Sequence, residues 1–187
     1  MRPPKVEEQA LLAGLMSVLR TKGYEGASLN ELAAASGLQK ASLYHRFPGG
    51  KQEIVAAVLD YVGKWVNENI HALLSDENIA PSERLDRVIE NIDQLYGQGK
   101  DVCILRALTM DPGVALFGDQ IKESMSQWIE GFRSLGISLG FEEALAENLA
   151  YQTLVQVQGS LIVSKGMSTV EPFQKALLSI KNMYSGA

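Results

Sequence analysis

Six of the eight side chains from Gln39 to Arg46 are polar or amphipathic: Gln39, Lys40, Ser42, Tyr44, His45 and Arg46. Such a set suits hydrogen bonding and ion pairing to a polyanion. Lys, Arg, Ser and Tyr reach phosphate oxygens, while Gln and Lys also reach base edges. Lys51 opens the next helical pattern, where free N–H groups and the positive end of the helix dipole favour a phosphate. Ser28 stands at another helix start and can act alike. A polar helix face is more often simply solvated, so spacing alone leaves both readings open.

Other chemistries find few residues. The one cysteine, Cys103, excludes an internal disulfide framework and a Cys-rich zinc site. It lies in the apolar run Val102–Leu105 and reads as packing. His45 and His71 are 26 positions apart, so no histidine pair has metal-ligand spacing. GxGxxG, GxxxxGK[ST] and HExxH are absent, and no nucleophile stands at a working distance from a base. The expectation is no enzyme, no cofactor and no metal.

The elements that must position the polar cluster are helical, because no stretch alternates strictly like a half-buried strand. A first helix runs from about Val6 to Lys22 with Leu11, Leu15, Val18 and Leu19 as its stripe. Ser28-Leu29-Asn30-Glu31 is a capping box, in which hydroxyl and carboxylate satisfy each other's backbone N–H. That helix ends near Ser36. Gly37 supplies the positive φ of a tight turn, and Leu32, Ala33, Leu38 and Leu43 fall where a helix-turn-helix needs core. A short helix from Gln39 to Arg46 would then face a major groove. Pro48-Gly49-Gly50 interrupts the chain before a long helix from Lys51 to about Leu74.

Charge supports two functions in one chain. Residues 1–65 hold eight basic and six acidic side chains, while the whole protein of 187 residues carries −5. The acid therefore sits beyond residue 65, and the mildly basic end is the one to face nucleic acid. Glu7 and Glu8 precede the first apolar stretch, which is wrong for a signal peptide, and no apolar run reaches membrane-span length. A cytoplasmic protein without a membrane partner is expected.

The segment GYEGASLNELAAASGLQKASLYHRFPGGKQEIV resembles the N-terminal domain of TetR-family transcriptional regulators. Gly23-Tyr24, the capped Ser28, Leu32-Ala33, Gly37-Leu38, Leu43-Tyr44, Phe47 and Lys51 carry the likeness, and Gly49-Gly50 is similar to the LmrA/YxaF-type branch. The resemblance implies an all-α fold: an N-terminal three-helix helix-turn-helix domain over 1–50, and a larger helical ligand-binding and dimerisation domain over 51–187. It implies phosphate contacts for Ser28, Lys40, Tyr44 and Lys51, with Arg46 as an addition. Gln39, Ala41, Ser42 and His45 would lie nearest the bases, Ala41 offering a methyl to thymine. Tyr24 and Phe47 would be core anchors. It further implies a repressor that binds a palindromic double-stranded operator as a homodimer and is released by a small apolar or aromatic effector.

Beyond residue 65 the residues speak more generally. The helix from about Glu142 to Ser164 is apolar on two sides, one with Leu149, Leu154, Val157 and Leu161, the other with Tyr151, Val155 and Ile162. Two apolar sides need two partners. A two-fold interface is expected from Leu154, Gly159, Leu161, Phe173, Leu177 and Ile180, against the alternative that both final helices are buried within one chain. For the effector, Tyr96, Met110, Phe117, Met125, Trp128 and Phe132 can line an apolar cavity, with Gln152 and Gln156 as buried amides wanting partners. The same residues also suit an ordinary core. A helical protein-interaction module without DNA binding is the rival function.

Overall fold

The computed structural model describes residues 7–109 and 112–185, and every regular element among them is helical. In order these are α1 (Glu8–Gly26), α2 (Leu29–Ala35), α3 (Lys40–Arg46), α4 (Gly50–Val66), a π segment (Asn67–His71), α5 (Ala72–Leu74), α6 (Pro81–Leu95), a 3-10 turn (Gly97–Gly99), α7 (Ile104–Leu108), α8 (Gly113–Ser138), α9 (Glu143–Met167) and α10 (Glu171–Ser185). No helix among the described residues is long and apolar enough to cross a membrane. The expected all-α architecture is the observed one.

The chain forms two compact units, and the first is built from two stretches of sequence. It takes the described residues of Met1–Val62 together with those of Ile104–Ile121. It thus extends past residue 50 and recruits a distant segment. Its core joins Leu11, Leu15 and Leu19 of α1 to Leu32 and Ala33 of α2, Leu43 of α3, and Ile54, Val55, Val58 and Leu59 of α4. Ile104, Leu105 and Leu108 of α7 close it, and α1 packs on both α2 and α7. Fully burying one such side chain contributes about 1.5–3 kcal/mol. Leu38, expected in this core, is only half-buried. Gly14 is the tightest point. A Cβ there would lie 2.0 Å from the Ala35 carbonyl oxygen, so only glycine lets α1 approach the end of α2.

The second unit takes the described residues of Gly63–Cys103 and Lys122–Ala187. Helices α9 and α10 pack along each other and contribute Ala146, Ala150, Val157, Leu161, Phe173, Leu177, Ile180 and Tyr184 to its core. The long helix expected over 51–74 is continuous but not uniformly α. Residues Asn67–His71 take π geometry, and side-chain amides serve two carbonyls there. Asn69 Nδ2 donates to the Trp65 carbonyl, and Asn91 Nδ2 of α6 to the Asn69 carbonyl, both at 2.9 Å. A π turn widens the helix, and these amides add side-chain donors to its carbonyls. Arg84 of α6 is buried and donates to the Leu74 carbonyl at the end of α5, where a cation suits the negative helix end.

Several expectations are corrected by burial. Leu161, Phe173, Leu177 and Ile180, expected at a two-chain interface, are buried inside this chain's own second unit. Their apolar periodicity is satisfied by α9 packing on α10. The large apolar side chains left exposed on α9 are Leu145, Tyr151, Val155 (68% exposed), Ile162, Val163 and Met167 (66%), joined by Leu178 (61%) on α10. Leu154 and Gly159 are half-buried beside that face.

Candidate nucleic-acid interface

The helix-turn-helix is set by two local devices. Ser28 and Glu31 form the expected capping box: Glu31 N–H donates to Ser28 Oγ (3.3 Å), and Ser28 N–H to Glu31 Oε2 (3.1 Å). The Ser28 hydroxyl also donates to Glu31 Oε2 (2.8 Å), and Lys22 pairs with Glu31 Oε1. The hydrogen bond from Lys22, then those from Ser28, pull the Glu31 carboxyl from 4.5 to about 2. Past α2 the chain turns at Gly37, whose φ is +69°, and Leu38 N–H returns to the Ala33 carbonyl at 3.1 Å.

This turn presents α3 with one side inward. Leu43 is buried in the helix and Phe47 just after it. Gln39, Lys40, Ala41, Ser42, Tyr44, His45 and Arg46 are all exposed, Tyr44 at 43%. One buried leucine and a surface of amide, ammonium, methyl, hydroxyls, imidazole and guanidinium is a face that can both grip phosphates and read base edges. Ser28 is exposed as well.

The following turn decides where Lys51 stands. Gly50 has φ +68°, a conformation that L side chains rarely adopt. Gly49 N–H donates to Glu53 Oε2 at 2.7 Å, fixing the first turn of α4. Lys51 is half-buried at this helix start. Its Nζ lies 4.7 Å from the centre of the Tyr24 ring and 3.4 Å from the Glu25 carbonyl.

Two residues near the interface have roles that sequence reasoning missed. Glu8 of α1 pairs with Arg46 at 3.3 Å, so this arginine meets a carboxylate before any phosphate. Tyr24 is half-buried, and its ring faces Lys51; a core role alone does not describe it. Neither contact joins residues close in sequence, so no helical spacing signals it.

The residues expected to bind an effector are divided between the two units. Phe117 belongs to the first unit, where it borders an open depression of about 340 Å³ along Val114–Gln120. Met110 lies outside the described residues. In the second unit Trp128 and Phe132 stack at 6.4 Å, and Phe132 meets Tyr184 at 5.7 Å. Tyr96 packs edge-on to Phe173 at 5.9 Å. These rings are buried against each other and serve the core. Met125 is half-buried. Gln152 is exposed, contrary to the expected buried amide. Gln156 is half-buried and reaches Met183 Sδ at 3.3 Å. Cys103 is buried beside the Tyr96 hydroxyl, at 3.5 Å.

Comparison with known proteins agrees with this geometry. Residues 11–58 match the family model described as bacterial regulatory proteins, tetR family. The chain is similar to the HTH-type transcriptional regulator YxaF of Bacillus subtilis, with 24% identity over 151 residues covering 79% of this chain and 78% of that protein. It is similar to LmrA of the same organism at 19% over 160 residues, covering 83% and 85%. Among solved structures, a TetR transcriptional regulator from Legionella pneumophila superposes with a TM-score of 0.81 at 17% identity, covering 97% and 98%. The regulator CifR, solved in complex with a 26-bp double-strand operator, gives 0.70 at 22%, covering 99% of each chain. All four are transcriptional regulators, in line with the expectation of a non-enzymatic chain. The capped helix-turn-helix and the exposed α3 face thus lie in the segment that matches the tetR family model, and the whole chain shares its fold with TetR transcriptional regulators.

Proposed function

We propose that this chain is a transcriptional repressor that binds a palindromic operator as a homodimer and leaves it when a small apolar or aromatic effector binds. The carrying observation is the α3 surface, with seven consecutive-range positions exposed around one buried leucine. Gln39, Ala41, Ser42 and His45 read bases; Ser28, Lys40, Tyr44, Arg46 and Lys51 hold phosphates. CifR, a structural neighbour, was solved with its operator, which supports the same use of the fold here. Acting on DNA places the protein in the cytoplasm. The residues up to Lys51 supply the DNA contacts, and those beyond it the effector and partner surfaces.

Dimerisation is supported by the exposed apolar face on α9 and α10, centred on Val155, Ile162 and Leu178 beside Leu154 and Gly159. Open space lies beyond the Cβ position of Gly159, which lets a second helix approach closely. A dimer also answers the weak basic charge: two α3 helices about one DNA turn apart double the contacts that each chain makes singly. Effector binding would then favour a spacing of the two helices that fits the operator poorly, and DNA affinity falls by the differential affinity of the effector for the two states. Helix α4 and its continuation to Leu74 run through both units and are the natural lever.

The test uses a duplex selected from a random-sequence pool by the full chain. Binding should be sequence-dependent and weaken steeply with salt. Tyr44→Ala with Lys51→Ala should lower affinity roughly tenfold or more, as lost phosphate contacts do. Unchanged affinity would overturn the site assignment, and a folded dimer that selects no sequence would favour a protein-interaction module.

A further inference from the structure

The two polar contacts of Lys51 differ in kind from those of the neighbouring cations. Lys22 pairs with Glu31, and Arg46 with Glu8; each meets a carboxylate that offsets its charge. Among the described residues no carboxylate lies within ion-pair distance of Lys51. Its partners are the face of the Tyr24 ring at 4.7 Å and the Glu25 carbonyl at 3.4 Å. A ring quadrupole and a carbonyl dipole attract an ammonium without neutralising it. They restrict a flexible side chain while leaving its full charge for an external anion, and ordering before binding lowers the cost of binding.

The ring that does this is itself fixed. Helical dihedrals break at Gly23, immediately before Tyr24. The Tyr24 ring meets Phe117 edge-on, with centroids 5.6 Å apart and planes at 63°. Phe117 is buried one turn into α8, in the same compact unit as α1 and α4. We infer that Tyr24 is a positioning residue for DNA binding: braced by Phe117, its ring aims Lys51 at the phosphate backbone while preserving the lysine's charge. This rests on the reading of Lys51 as a phosphate contact, and it adds that α8 has a direct route to that contact through a single ring.

Four variants of the full chain separate the two statements, with the selected duplex as probe and fluorescence anisotropy as readout. Lys51→Met should weaken binding and reduce the slope of log affinity against log salt by about 0.9 for each lost phosphate contact. Tyr24→Phe should bind like the parent, because the ring remains. Tyr24→Leu should weaken binding about two- to fivefold per chain, the size of an exposed cation–π contact. In the Lys51→Met background the same Tyr24→Leu change should do nothing further. In the free protein, the upfield ring-current shift of the Lys51 Hε protons should be present in the parent and in Tyr24→Phe and lost in Tyr24→Leu. Equal losses from Tyr24→Leu in both backgrounds would make Tyr24 merely structural and overturn the inference. An absent ring-current shift in the parent would do the same. A Lys51→Met protein with unchanged affinity and salt slope would overturn the underlying phosphate contact instead, even with the ring-current shift intact.

Discussion

The glycines Gly14 and Gly159 sit mid-helix in different units and are glycine for opposite reasons. At Gly14 the chain touches itself: a Cβ would collide with the Ala35 backbone. At Gly159 a Cβ would meet nothing within 4 Å among the described residues. The first unit has spent its close approach internally, on seating α1 against the end of α2. The second unit has left its close approach unused, on an exposed apolar helix face. A close helix crossing and an open apolar face are thus written with the same residue, and only the surroundings tell them apart.

The comparison can be broken at several points. Gly14→Ala should be the costliest, destabilising the chain by about 3 kcal/mol through overpacking against immovable backbone; chemical denaturation measures it, and a neutral result would show that α1 and α2 are not locked. Val155→Asp leaves the monomer core untouched and should weaken self-association at least roughly tenfold, because a buried unpaired carboxylate is costly. Sedimentation across a concentration series reads it, and an unaffected oligomer would move the interface elsewhere. Gly159→Ala sharpens the contrast most directly. At concentrations where only monomer exists it should stabilise by about 0.5–1 kcal/mol, as Ala for Gly does in a helix, yet it should loosen the dimer. A gain in both would remove Gly159 from the interface.

The smallest expected effect lies in acid. Glu31 has its carboxyl lowered from 4.5 to about 2 by Lys22 and Ser28. A depressed carboxyl stabilises fully above its unfolded value and loses that contribution as pH falls through the folded one. The parent should therefore lose stability relative to Glu31→Gln as pH drops from about 4.5 towards 2. Denaturation curves for both across that window test this, and parallel pH profiles would show the capping box to be electrostatically silent.

How far the sequence could be read follows the same division. Ser28 and Glu31 are three residues apart and Gly37 acts on its own turn, so the first unit's devices are local and legible. The face of α3 needed only the position of Leu43. In the second unit, periodicity correctly marked Leu161, Phe173, Leu177 and Ile180 as apolar and inward. It could not say whether inward meant towards the same chain or another. The partner of an apolar stripe is a tertiary fact, and α10 supplied it. The π segment was illegible for a related reason: Asn67–His71 keeps its apolar Ile70 buried, so the extra width of the turn leaves no trace in the pattern. Tyr24 and Lys51 are joined only by the fold.

The two-stretch construction of the first unit also bears on transplantation. A chimera that moved only α1 to α4 onto another protein would sever Leu105 and Leu108 from the core they close, and would strip Tyr24 of Phe117. It would also break the hydrogen bond from Gln120 Nε2 to Asp60 Oδ1 at 2.8 Å. The portable reading head is therefore a split cassette, residues 1–62 plus 104–121, and a designer of hybrid biosensors would need to cut the host at both seams.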